Sequence, residues 1–474
     1  MDTKVSGFRR FWDGLIMPAS LRHLDTKDMY RRAFDLAWPA ALEGALLSII
    51  GTVDTVMVKS VHKYAIASVN LTSQPRMILL ILAQALCVGT TALVSRRRGE
   101  NDREGANEAL SLSMLLITLV GIVMGLLGYL FAGPIIRLAG GDGDTTQMAV
   151  DYFQIICLGL PFNCWSLCLC AALRATGNTR ITMVTNVSAN LVNVVMNYCL
   201  IGGHILVRRP LGVRGAAIAT VIGTFVGFLI ALYMVTLKKG YLRLRLRLWG
   251  YRIQTLKSLL SVGLSSVIES AALRVGFFIN NKLIAGINAD ALTSHTIVSQ
   301  VTNLSFCLGD GVAAAGATLV GTSLGEKNRD KARGYTAVCL RLGYVTSAFL
   351  ILVLFFGRKG FSQIFTDDPT IISGTAWAFI VLLAGILPQN IRVIYSGCLR
   401  GAGDVKYVAL CALLSVSVLR TSLTYLFSYL LRDSFPMLLP AYTGPWLSFV
   451  LDAWVRTLLL IKRVNSGKYL DIRL

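Results

Sequence analysis

Twelve apolar runs dominate this chain, at 34–58, 65–95, 109–133, 148–173, 181–203, 211–236, 255–286, 291–324, 335–356, 371–399, 407–431 and 437–461. A helix needs about 20 mostly apolar residues to cross a bilayer. A transmembrane β-barrel would show short alternating segments instead, so it is excluded. The runs predict an all-α integral membrane protein of twelve transmembrane helices. Composition agrees: of 474 residues, 54% are hydrophobic and only 15% charged, where a soluble domain carries roughly 25% charged residues.

The net charge of +21 would suggest nucleic acid in a soluble protein. Here the distribution of lysine and arginine explains it. With the N-terminus cytoplasmic, the inner segments hold 29 basic residues and the outer ones 8. This is the positive-inside asymmetry, and it predicts a multi-pass plasma-membrane protein with both termini cytoplasmic and no nucleic-acid partner. Residues 1–33 form a basic leader without an apolar h-region, so a cleaved signal peptide is not expected. The linker at 238–254 contains KKGYLRLRLRLWG, whose alternation gives one apolar and one basic edge when extended. It reads either as a strip on anionic lipid head groups or as a solvated connector. Residues 462–474 form a cytoplasmic tail. The ten cysteines lack metal-ligand spacing; Cys164, Cys168 and Cys170 read as small apolar packing residues.

The halves repeat. Leu93-Val94, Gly99-Glu100, Arg103 and Ala106 recur as Leu319-Val320, Gly325-Glu326, Arg329 and Ala332, always 226 residues on. The same offset relates Glu43 to Glu269, Ser73-Gln74 to Ser299-Gln300 and Leu173-Arg174 to Leu399-Arg400. One register held this widely predicts two six-helix bundles, 34–237 and 255–461, related by pseudo-two-fold symmetry. Because six is even, the repeats are parallel, and a substrate path is expected between the bundles.

Polar residues inside the spans carry the functional signal. A carboxylate in a span costs about 2.5–3.5 kcal/mol on insertion scales, yet the first span holds both Glu43 and Asp54. Each reads either as a structurally paired or snorkelling acid or as part of a cation or proton site. Glu43 recurs as Glu269, whereas Asp54 pairs in register with Asn280. On span five Asn190, Asn193 and Asn197 share one helical face, suited to coordinating a hard cation or to gluing helices together. Thr220 lies among the small residues of span six. Further charge comes from Arg76, Glu269, Arg274, Asp310, Arg392, Arg420, Asp452 and Arg456. Arg76 is a candidate counter-ion for Asp54 or Glu43, and Arg274 for Glu269 if the helix is irregular. Asp452 and Arg456 have the i, i+4 spacing of a structural salt bridge. His295 reads as a satisfied or interface histidine. Pro161 and Pro388 interrupt corresponding spans and point to the working helices.

With these residues in order, VDT at Val53–Thr55, LRATGNTR at Leu173–Arg180, NLVNVVMN at Asn190–Asn197, GVRGAAIAT at Gly212–Thr220 and LRGAGDVK at Leu399–Lys406, the chain resembles the multidrug and toxic compound extrusion family across about 34–461. The resemblance implies an antiporter that exports organic cations and amphipathic drugs in exchange for inward Na⁺ or H⁺, with no cofactor. It implies a cation-coupling set, or Na⁺ ligands if sodium drives export, of Asp54, Asn193, Asn197 and Thr220. Some members carry a second acid where Asn197 stands. In another branch the acids lie on spans seven and ten, here Glu269 and Gln389, so this chain mixes features of both. Glu269, Glu43, Asp310 and Gln389 are the substrate-binding candidates. Partners are then small-molecule drugs and membrane lipids, with the protein functional as a monomer. The alternative is a lipid-linked oligosaccharide flippase of the same superfamily, which would use Arg76, Arg274, Arg392 and Arg420 to hold pyrophosphate. An intramembrane enzyme is disfavoured by four scattered histidines and the absence of HExxH or GxSxG; nothing resembles a P-loop.

Overall fold

Each apolar run folds as a helix of membrane-spanning length, and several, such as those over 335–356 and 371–399, extend at both ends into the flanking sequence. The computed structural model describes residues 25–59, 65–140, 143–201, 210–236, 240–244, 252–287, 289–364, 368–431 and 443–472. Within them twelve helices are long and apolar enough to cross a membrane, and no strand occurs among the described residues. In order they are α1 (Thr26–Lys59), α2 (Ala65–Gly99), α3 (Arg103–Leu130), α4 (Gly143–Ala175), α5 (Thr179–Ile201), α6 (Gly212–Thr236), α7 (Ile253–Ala285), α8 (Ala289–Gly325), α9 (Arg329–Gln363), α10 (Pro369–Ala402), α11 (Val405–Leu430) and α12 (Gly444–Asn465). A short helix, Ala132–Leu138, joins α3 to α4. Most of the leader, residues 1–24, and linker residues 237–239 and 245–251 lie outside the described residues, and so do the two readings of the linker over that stretch.

The chain divides into two compact units. The N-unit runs from Leu42 to Val267; the C-unit runs from Ile268 onward and includes the α1 residues up to Ala41. The boundaries expected from the apolar runs, 34–237 and 255–461, keep every helix whole. The units instead take the leading parts of α1 and α7 from the other half of the chain. In the C-unit Met29, Ala33 and Ala37 of α1 are buried in one core with Val312 and Ala315 of α8. The helices touch there because a Cβ on Gly311 would stand 2.7 Å from the Ala37 carbonyl oxygen. In the N-unit Leu259 of α7 is buried with Leu86 and Leu93 of α2. The changeovers, at Leu42 and Ile268, are themselves 226 residues apart.

In each unit the repeat's fourth helix is central: α4 packs on α2, α3 and α6, and α10 on α8, α9 and α12. The connections repeat as well. Asn101 and Lys327 both turn at φ 57°. The next residues, Asp102 and Asn328, cap α3 and α9 by accepting from Gly105 N (2.8 Å) and Lys331 N (2.9 Å). The LRATGNTR and LRGAGDVK motifs end α4 and α10 with left-handed Gly177 (φ 80°) and Gly403 (φ 90°), where a side chain would be strained.

The segments after the sixth helix of each half also correspond. In the N-unit Leu242 is buried, and Arg103 donates to the Tyr241 and Gly240 carbonyls at 2.7 Å each. In the C-unit a 3₁₀ turn, Lys468–Asp471, buries Tyr469 and Leu470 while Asp471 pairs with Arg329 at 2.5 Å. Tyr-Leu followed directly by Arg-Leu or Asp-Ile thus straps the start of α3 and of α9 in turn.

Candidate functional site

The span-five asparagines do not act as one row. On α5 the Asn186 amide donates to Glu43 at 2.6 Å, and Asn190 turns back to the Asn186 backbone carbonyl at 2.8 Å. Asn193 and Asn197, one turn apart and buried, continue the face. Asn197 Nδ2 donates to Asn193 Oδ1 at 3.4 Å, and Asn193 Nδ2 donates to Thr220 Oγ on α6 at 3.2 Å. Thr220 in turn donates to the Ala216 carbonyl at 2.9 Å. The glycines of α6 bring this about: a Cβ on Gly223 would stand 2.6 Å from the Ala189 carbonyl, so only glycine lets α6 approach α5. Three of the four expected coupling residues are therefore joined by hydrogen bonds in the N-unit. Asp54 belongs to the same unit, on α1, but its side chain lies outside the described residues.

Glu43 and Glu269 are each held by an arginine at the end of the repeat's fourth helix. Glu43 Oε1 accepts from Arg174 at 3.4 Å, and its Oε2 accepts from Thr182 at 3.4 Å. Glu269 Oε1 accepts from Arg400 at 2.6 Å and from Arg456 at 3.4 Å. Glu269 Oε2 is buried with no hydrogen-bond partner among the described residues. Of the candidate counter-ions, Arg76 for Asp54 or Glu43 and Arg274 for Glu269, the structure gives Glu43 to Arg174 and Glu269 to Arg400, each 131 positions away.

The expected Asp452–Arg456 salt bridge is likewise replaced. Asp452 accepts from Ser415 and from Arg420, whose Nε lies at 2.9 Å, while Arg456 reaches Glu269. Arg420 closes a π-helical stretch of α11, Leu413–Arg420. The Arg420 guanidinium also stacks on Phe449 and Phe277, at 4.8 and 5.5 Å.

The remaining candidates separate. Gln389 is buried on α10 and accepts from Arg392 at 2.9 Å. Asp310, on α8, is exposed. Asn280, which matches Asp54 in register, is buried with its Oδ1 unpartnered among the described residues. His295 packs on Trp446 at 4.9 Å. No cluster of three or more His, Cys, Asp or Glu that could hold a metal occurs among the described residues.

Comparisons with known proteins agree on one family. The MatE family profile matches residues 39–199 and 266–426. An uncharacterized transporter, YisQ of Bacillus subtilis, is 27% identical over 91% of this chain and 93% of its own length. A Thermotoga maritima protein named probable multidrug resistance protein NorM is 26% identical over 94% of each chain. Among solved structures, an outward-facing multidrug resistance MATE family transporter of the MOP superfamily superposes with a TM-score of 0.85. It covers 93% of this chain and 97% of its own, at 20% identity.

Proposed function

Because the chain belongs to the MatE family of multidrug-extrusion membrane transporters, we propose that it is a secondary antiporter exporting organic cations and amphipathic drugs in exchange for inward Na⁺ or H⁺. Asp54, Asn193, Asn197 and Thr220 form the cation-coupling site, and alternating access between the two bundles carries substrate outward. In this reading both termini are cytoplasmic, the orientation that the loop charges favour. The observation that carries this reading is the hydrogen-bonded Asn193–Asn197–Thr220 cluster in the unit that also holds Asp54. Carboxamide and hydroxyl oxygens are ligands for a hard cation, and they polarise a carboxylate that takes up a proton.

A buried carboxylate needs a positive partner. A proton, a sodium ion or a drug cation can each serve, and the three compete for one charge, which couples the two flows. Among the substrate candidates, Asp310 offers the most accessible carboxylate, on α8, with Gln389 on the neighbouring α10. Glu43 and Glu269 already neutralise arginines. The flippase alternative is not favoured by the family match, and one of its arginines, Arg420, is already neutralised by Asp452.

The test is efflux of an ethidium-type dye by cells making equal amounts of wild type and Asp54→Asn. Resistance and efflux are expected to fall to the level of cells without the transporter. Unchanged efflux by Asp54→Asn would overturn the site assignment.

A further inference from the structure

Arg174 and Arg400 have been assigned no role so far beyond holding a glutamate, and their placement goes further. They are equivalent residues, each in the last turn of the repeat's central helix. There a guanidinium also offsets the negative end of the helix dipole. Their glutamates are equivalent too. Glu43 and Glu269 are each the second residue of their helix inside the unit they join: α1 enters the N-unit at Leu42, and α7 enters the C-unit at Ile268. The supports around the two pairs differ. Asn186 and Thr182 complete the first, and Arg456 completes the second. What the two units share is the carboxylate at the point of entry and the arginine beneath it. Both carboxylates are at least 95% removed from solvent, at 5% and 2% exposure, so leaving either without its cation is costly.

We propose that Arg174 and Arg400 are positioning residues of the transport cycle. Each pins, through its glutamate, the place where the repeat's first helix joins its unit, so that the rest of that helix moves with the unit. α1 carries Asp54 beyond the pin, so the pin sets where that coupling residue stands, and α7 carries its register counterpart Asn280 in the same way. This rests on the antiporter reading, and it assigns the two glutamates to the arginines rather than to the drug.

The experiment uses full-length purified protein in liposomes, with dye export driven by a Na⁺ or pH gradient and rates expressed per monodisperse molecule. Arg174→Gln and Arg400→Gln are each expected to lower the maximal rate by about tenfold while the KM for the dye stays within about twofold, the signature of a residue that does not touch substrate. Arg174→Lys and Arg400→Lys, which keep the charge, are expected to retain most of the rate. The exchange Glu43→Arg with Arg174→Glu is expected to recover much of what Arg174→Gln loses. It is confined to the N-unit because Glu269→Arg would face Arg456. A KM raised tenfold at unchanged maximal rate would overturn the assignment in favour of substrate contact. So would an effect confined to one unit, or an exchange no better than Arg174→Gln. If the glutamine variants do not fold, the lysine variants and the exchange decide by the same criteria. Failure of the wild type to export dye under either gradient strikes the antiporter reading instead. Export by the wild type with unchanged Arg174→Gln and Arg400→Gln kinetics strikes this proposal alone.

Discussion

Asp452 shows how a buried charge chooses its partner. Its helical neighbour Arg456 has the right spacing, yet Asp452 takes Arg420 from α11 and Arg456 serves Glu269. Each acid is then paired with a cation from another helix, and the pairs tie α12 to α11 and α7. Removing one member leaves the other buried and uncompensated. Arg420→Leu is expected to destabilise by about 3–5 kcal/mol, while Arg420→Leu with Asp452→Leu recovers most of that loss. Thermal unfolding in detergent measures both, and equal losses in the single and double variants would contradict the pairing. At the other end of the energy scale, Lys327 holds a left-handed conformation with φ 57°. That backbone costs a non-glycine residue about 1–2 kcal/mol, less for asparagine. Lys327→Gly is therefore expected to raise the unfolding temperature. Asn101, at the equivalent turn, is already a tolerant residue, so Asn101→Gly is expected to change it less.

At the scale of elements, the twelve helices were legible because a run of apolar residues has few alternatives in a bilayer. The repeat register was legible because residue identity survives at 226-residue spacing. What stayed hidden depends on backbone geometry. The π-helical turns of α11, Leu413–Arg420 and Leu426–Leu430, carry no marker in a sequence whose residues suit an ordinary helix equally well. The asparagine row on α5 was visible, but its division among Glu43, the helix backbone and Thr220 was not, since it depends on what faces each turn. The linker offered an apolar edge to lipid. In its described part that edge packs inward instead, with Leu242 in the N-unit core and the Tyr241 and Gly240 carbonyls on Arg103. Backbone acceptors have no signature in side-chain pattern. The C-terminal strap follows the same plan, and burial of Tyr469 and Leu470 is worth about 1.5–3 kcal/mol for each large side chain. Truncation after Ser466 is expected to lower the yield of monodisperse protein and its unfolding temperature. Tyr469→Ala with Leu470→Ala should reproduce the loss. An unaltered melting curve for both would show that the strap contributes nothing to the C-unit.

For the whole molecule, one difference between the two halves carries the reading: Asp54 in the first stands in register with Asn280 in the second. The paired glutamates and arginines were both in the sequence register. Their contacts were not readable, because each partner lies 131 residues away. If Asp54 is the charge for which drug and coupling cation compete, their affinities are linked and the linkage is reciprocal. Equilibrium binding of a fluorescent organic cation to the purified protein should weaken as Na⁺ is raised, or as pH is lowered, whichever ion drives export. The same drug should weaken binding of that ion by the same factor. The ion that leaves drug affinity unchanged is not the coupling ion, so one titration series also distinguishes Na⁺ from H⁺. Asp54→Asn should abolish the dependence, whereas Asp310→Asn should weaken drug binding and leave the ion's own affinity intact. A dependence that persists in Asp54→Asn would move the competing charge to the C-unit, where Glu269 keeps one buried oxygen without a hydrogen-bond partner among the described residues.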